Sequence, residues 1–195
     1  MKKLGIPILV LTSLALGLAA CTSSDAPSND ATAANGTAGS TPALETATGL
    51  GEAPTFTLPT LAGDSLRLAD LRGQIVVLNF WATWCAPCIE EIPQLIDLHD
   101  ELNPHGLTVL GVSLDIEGPD FIKPFTDRLG ITYPVPLDDG AVAEAYGGVW
   151  ALPTTYVIDA EGQIIQRVIG LFPVEEMRPK FREMLDLPLV ATTSP

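Results

Sequence analysis

Basic residues are scarce in this chain. Its 195 residues carry 10 Lys and Arg against 24 Asp and Glu, a formal net charge of −14 at pH 7. Nucleic-acid binding needs clustered cations that displace counterions from phosphate, so this balance argues against it. The same shortage leaves no polybasic patch for anionic lipid headgroups. The excess acid serves solubility. Metal-ligating side chains are also few, with 2 His and 3 Cys. There are no internal repeats, and no cofactor is implied. The length suits one ordinary domain and a tail.

The N-terminus holds an apolar run that is too short to be an ordinary membrane span. Lys2 and Lys3 form a positive start, and residues 4–20 are apolar but interrupted by Gly5, Pro7 and Gly17. A spanning helix needs roughly 20 apolar residues, whereas this length suits a secretory signal. The run ends "LAAC", which resembles the bacterial lipobox, in which the Cys is lipidated and becomes the first mature residue. Residues 1–20 are therefore expected to be a lipoprotein signal peptide, with Cys21 the lipidated residue. The protein is then extracytoplasmic, lipid-anchored to a bacterial membrane and facing the periplasm or cell exterior. Lipidation also accounts for the odd cysteine, leaving Cys85 and Cys88 as the thiols of a chain in an oxidising compartment.

Residues 21–52 are Ala, Thr, Ser, Gly and Asn with almost no large apolar side chain. Such a segment buries too little surface to fold and reads as a flexible tether. About thirty residues of this composition reach roughly 30 Å. The folded domain is expected over residues 53–190. Phe56 to Leu58 and Leu66 to Leu68 alternate around Gly63-Asp64, a hairpin signal. "QIVVLNF" (residues 74–80) and "LTVLGVSL" (residues 107–114) are apolar runs suited to buried strands. Cys88, Ile92, Leu95, Leu98 or His99, and Leu102 recur at helical spacing, with Pro93 expected to bend that helix. Residues 118–129 read as a helix, 135–137 as a short strand between prolines and 141–146 as a short helix. Residues 154–158 and 164–169 form a hairpin across "AEG", and residues 174–185 a closing helix. Strands alternating with helices predict an α/β fold with a mixed central sheet.

The chemistry concentrates in "NFWATWCAPCIEEIP" (residues 79–93). Two cysteines this close could be a metal clip, a structural staple or a redox centre. Zinc wants four ligands, usually a second C-x-x-C or paired His, and the further Cys and His of the chain are His99 on the helix, His105 in "NPHG" and Cys21. A copper carrier with a distant His is disfavoured because no His follows position 105. A staple closing so small a loop gains little stability. Cys85 lies where a buried strand ends and a helix begins, so unpaired N–H groups and the helix dipole favour its thiolate. Cys88, three residues on, can close a disulfide with it and is expected to be the more buried, resolving thiol. Pro87 falls in the first helical turn, where its missing N–H costs nothing.

"WCAPC" after "VVLNFWAT", the continuation "CAPCIEEIP", the "GVSLD" strand and "YGGVWALPTTYVIDAEGQII" resemble the TlpA/ResA-type branch of the thioredoxin superfamily over residues 53–187. The resemblance implies a thioredoxin-like fold with an added N-terminal β-hairpin and a βα insertion within residues 115–146. It implies a thiol–disulfide oxidoreductase, commonly a reductase in cytochrome c or oxidase maturation. Carried over, Cys85 is the attacking and Cys88 the resolving thiol of a redox-active disulfide, and Pro153 matches the cis-proline opposite them. Leu152 then presents its backbone to an extended substrate, as in strand addition, and Trp84 shields the disulfide and contacts partners. Trp81 and Trp150 read as core or rim residues. Thioredoxin has a buried Asp at the position of Asn79, and Asn cannot take a proton. Glu91, a neighbour of Cys88 on the helix surface, occupies a place where members of this branch carry a functional acid. It would oppose a Cys88 thiolate and accept its proton. The alternative for Glu91 is a solvated helix acid.

These features imply a monomeric, membrane-tethered protein disulfide reductase acting on thiol or disulfide protein substrates and drawing electrons from a membrane thiol donor. An oxidase or isomerase of disulfides, a copper or other metal-binding chaperone using the same pair, and a peroxide reductase are the alternatives.

Overall fold

In the computed structural model, described residues are 43–45 and 50–188. The expected signal peptide, Cys21 and most of the expected tether lie outside them. The strands are β1 (Ala43–Glu45), β2 (Thr57–Pro59), β3 (Ser65–Arg67), β4 (Ile75–Trp81), β5 (Leu107–Ser113), β6 (Thr154–Ile158) and β7 (Ile164–Ile169). The helices are α1 (Ala86–Leu102), α2 (Pro119–Leu129), α3 (Ala141–Ala145) and α4 (Val174–Met184).

The central sheet runs β1-β7-β6-β4-β5. β4 and β5 are parallel, and the other pairings are antiparallel. Both parallel strands are buried along their whole length, which explains their continuous apolar sequences. Their side chains still alternate between two layers. Val77 and Trp81 pack with Ile92 and Leu95 of α1, Ile122 of α2 and Phe181 of α4. Val76, Leu78 and Phe80 face the other way, onto Leu58 of the β2–β3 hairpin and Val142 of α3. This is the expected mixed sheet with helices on its faces and an added hairpin. Arg178 and Arg182 of α4 both pair with Glu101 of α1, joining these two helices.

Two local expectations need correction. Residues 43–45, assigned to the tether, form the edge strand β1 on β7. An edge offers unpaired backbone groups to any extended segment, so this pairing needs no large apolar side chains. Residues 135–137 make only the isolated bridges Thr60↔Pro136 and Ser113↔Leu137. Pro134 and Pro136 lack an N–H, so a regular ladder cannot form, although their carbonyls still accept from Gly111 and Ser113 of β5. Of the core and rim places expected for the tryptophans, Trp81 takes the core and Trp150, 76% exposed, the rim. It sits in an irregular segment after α3, with no strand or helix to turn its ring inward. α1 is continuous through Pro93, which is exposed.

Candidate active site

The cysteine turn is held from three sides. β4 ends at Trp81, whose indole N–H donates to the Gly111 carbonyl at 3.0 Å. Thr83 is then clamped by Asp115, a 6%-exposed acid just past β5. Its carboxylate accepts from the Thr83 backbone N–H at 3.0 Å, the Thr83 hydroxyl at 2.6 Å and the Ser113 hydroxyl at 2.8 Å. Cys85 is the N-cap of α1, and the Cys88 N–H points at its sulfur at 3.3 Å. A helix start presents its unpaired donors to whatever charge forms there. Cys85 and Cys88 are joined as a disulfide, S–S 2.03 Å. Both are buried, Cys88 completely. Pro87 lies in the first turn, as expected.

Glu91 is not on the helix surface. It is 2% exposed and faces the sheet, which removes the solvated-acid reading. The stripe of α1 that carries Cys88, Ile92 and Leu95 also contains position 91. The carboxylate accepts from the Asn79 side-chain amide Nδ2 at 2.6 Å and from the Phe172 backbone N–H at 2.8 Å. Burial nevertheless dominates these two donors and raises its pKa to about 7. Asn79, in the middle of β4, also donates from Nδ2 to the Thr155 hydroxyl at 3.0 Å. Tyr133 packs beside this group, and burial together with the negative charge of Glu91 pushes its phenol upward.

The Leu152–Pro153 peptide bond is cis. The Pro153 carbonyl accepts from the Gly170 N–H at 2.9 Å, so the turn is tied to the segment that carries Phe172. Leu152 lines an open groove of ≈ 410 Å³ together with Cys85, Trp84, Pro87, Leu114, Val149 and Trp150. Trp84 is 70% exposed on its rim, so it is not a core tryptophan. The sequence-derived residues Trp84, Cys85 and Leu152 thus share one groove, with Cys88 and Glu91 beneath Cys85 along α1. His99 and His105 are elsewhere. His99 is buried, its Nδ1 accepting from the Val109 N–H at 3.2 Å, and His105 is exposed. Among the described residues no group of three or more His, Cys, Asp or Glu is arranged to hold a metal ion. Sequence reasoning missed Asp115 and the Phe172 N–H. The first had a signal in the polar "SLD" that closes an otherwise apolar strand; the second, a backbone group, had none.

Residues 51–167 match the AhpC/TSA family. The thiol-disulfide oxidoreductase ResA of Bacillus thuringiensis (strain Al Hakam) is 37% identical over 120 residues, covering 61% of this chain and 68% of that protein. The ResA of Geobacillus thermodenitrificans is 38% identical over 127 residues, covering 65% and 72%. Among solved structures, a thiol:disulfide interchange protein of the thioredoxin family from Chlorobium tepidum superposes with TM-score 0.63 at 29% identity, covering 69% of this chain and 95% of that one. A secreted thiol-disulfide isomerase from Corynebacterium glutamicum also gives 0.63, at 30% identity, covering 68% and 84%. A cysteine pair capping the helix after a central strand, in a fold and sequence shared with these proteins, leaves no ambiguity of class: the chain belongs to the AhpC/TSA family and is a thioredoxin-fold thiol–disulfide oxidoreductase of the TlpA/ResA type.

Proposed function

We propose that this oxidoreductase is a lipid-tethered, extracytoplasmic reductase of protein disulfides. The observation that carries the reading is Glu91, an acid buried along α1 from the resolving cysteine and titrating near neutrality. A group of this pKa takes and returns protons at working pH. In the reduced protein the Cys85 thiolate attacks one sulfur of a partner disulfide and expels the other as a thiolate. Cys88 gives its proton to Glu91 and attacks the Cys85 sulfur. The second partner thiol leaves, protonated from Glu91, and the protein retains the Cys85–Cys88 disulfide. Two electrons have passed to the partner, and a membrane thiol donor restores them. The partner lies extended in the groove against the Leu152 backbone, with Trp84 and Trp150 on its sides. Pro153 holds that backbone in place. Cysteines of cytochrome c or oxidase subunits are the proposed clients. Cys21 carries the lipid, and the protein works as a monomer.

The test is capture. Cys88→Ser cannot resolve the mixed disulfide, so partners should accumulate on Cys85 in the native host and be released by dithiothreitol. A reduction potential near −270 mV is expected of a reductase, and one near −120 mV would mark an oxidant instead. Cys21→Ser should release the protein from membranes. Failure to trap any partner would overturn the reductase reading.

A further inference from the structure

The polar group around Glu91 contains an atom with no use in the arrangement described. Asn79 is 1% exposed. Its Nδ2 serves both Glu91 and Thr155, whereas its Oδ1 is buried with no hydrogen-bond partner. A buried, unpaired carbonyl is costly, and one beside a functional group calls for an explanation. The sheet register supplies one. Asn79 pairs with Thr155 of β6 on one side and with Gly111 of β5 on the other. Since Nδ2 turns toward Thr155, Oδ1 turns toward Gly111. The space above that glycine is filled by the ring of Tyr133, so close that a Cβ at 111 would stand 2.7 Å from its Cε2. The Tyr133 hydroxyl is also buried and without a partner.

We propose that Asn79 is a positioning residue that follows the proton on Glu91 by reversing its side-chain amide. With Glu91 ionised, Nδ2 donates to the carboxylate, as observed. With Glu91 protonated, the carboxylic O–H needs an acceptor, and Asn79 presents Oδ1 to it. The Thr155 hydroxyl, an acceptor in the first state, becomes a donor to Oδ1 in the second, since a hydroxyl does both. Nδ2 then faces the phenol of Tyr133, whose oxygen has unused acceptor capacity. The reversal is a half-turn about a torsion that is broad and nearly two-fold. No atom moves far, so the buried acid can load and unload its proton without rearranging the core. The amide is suited to this because it carries a donor and an acceptor on one rigid plane. An aspartate there would compete for the proton, and an apolar residue would satisfy neither state. The ionisable groups beside Glu91 are Cys88, locked in the disulfide when the protein is oxidised, and Tyr133, kept neutral by burial. The other contacts, Asn79, Thr155 and the Phe172 N–H, are uncharged.

The inference rests on the reading that Glu91 exchanges a proton during turnover, and its test is independent of turnover. In the oxidised protein neither Cys85 nor Cys88 titrates, so site-resolved carbon-13 and nitrogen-15 NMR from pH 4 to 9 follows Glu91 and the Asn79 amide without interference from the active-site thiols. The Asn79 Nδ2 resonances should move with the midpoint of the Glu91 carboxyl carbon. Their proton contacts should switch from Thr155 at high pH to the Tyr133 ring at low pH. Glu91→Gln mimics the protonated acid and should hold the reversed orientation at every pH. Asn79→Leu, deprived of the donor to the carboxylate, should raise the Glu91 midpoint by up to about one unit. Amide protons that stay on Thr155 at pH 4 and pH 9 alike would overturn the inference. Normal partner reduction by Glu91→Gln, with the wild-type amide still following pH, would instead remove the functional reading of Glu91 alone.

Discussion

Replacing Glu91 by Gln should make the protein more stable, and increasingly so as pH rises. Burial holds the Glu91 carboxyl at about 7 in the native state, against 4.5 for the unperturbed group. Between these values the native protein keeps a proton that the unfolded chain has lost. Stability from this group is therefore fully present below about pH 4.5 and is lost as pH rises through about 7. A span of about 2.5 units, at about 1.4 kcal/mol each, amounts to roughly 3 kcal/mol. Gln never ionises, has nearly the same shape, and can still accept from the Phe172 N–H. Wild type and Glu91→Gln should be unfolded in urea at intervals from pH 4 to 8.5, with the disulfide intact. Other carboxylates titrate in both proteins and cancel in the difference. The expected result is a stability difference that grows by about 3 kcal/mol in favour of Glu91→Gln, most of it between pH 5 and 7.5. A difference that stays flat within about 0.5 kcal/mol would show that Glu91 titrates as an ordinary acid, and the proposed proton acceptance would go with it.

Asp115→Ala leaves the Thr83 N–H, the Thr83 hydroxyl and the Ser113 hydroxyl without their acceptor. It should cost about 2–3 kcal/mol in urea unfolding at neutral pH and slow thiol exchange by loosening the turn before Cys85. Trp84→Ala, at an exposed site, should change stability by no more than about 0.5 kcal/mol. It should lower kcat/KM for a protein disulfide several-fold while leaving reduction of a small aromatic disulfide unchanged. Gly111→Ala drives a methyl into Tyr133 and against the Trp81 Nε1, 3.1 Å from the new Cβ. Overpacking of this kind should cost about 1–3 kcal/mol, read as a lowered Tm.

Much of the fold was legible because its signals are local. The runs that became β4 and β5 are apolar throughout, the two hairpins carry their turn residues, and α1 shows its stripe. What was illegible depended on partners distant in sequence. β1 exists because β7 has a free edge, which no property of residues 43–45 announces. Residues 135–137 look like a strand in composition, but their prolines let them accept and hardly donate. The ring of Trp150 lies open because the segment after α3 takes it to the rim of the groove, a consequence of the insertion's path rather than of the residue.

The site divides in the same way. The cysteines, the helix start and Pro87 are consecutive in the chain, so their chemistry could be argued from it. The cis bond could not, because an X–Pro bond is cis only about 5–6% of the time in folded proteins; that expectation rested on resemblance. Glu91 is the instructive case. It lies three residues after Cys88 and four before Leu95, so helical spacing already put it on the buried stripe. Its charge alone argued for the surface. Asn79 posed the matching question, a lone amide in a strand whose every neighbour is apolar and buried. A buried acid needs donors, and a buried amide needs both donors and acceptors. Two such misfits, one on the central strand and one on the helix that packs over it, have each other as their most economical partners. Paired exceptions to hydrophobic patterning, weighed together, would have placed the Asn79–Glu91 contact from sequence. Weighed separately, each looked like a concession at the surface or a substitution for something lost.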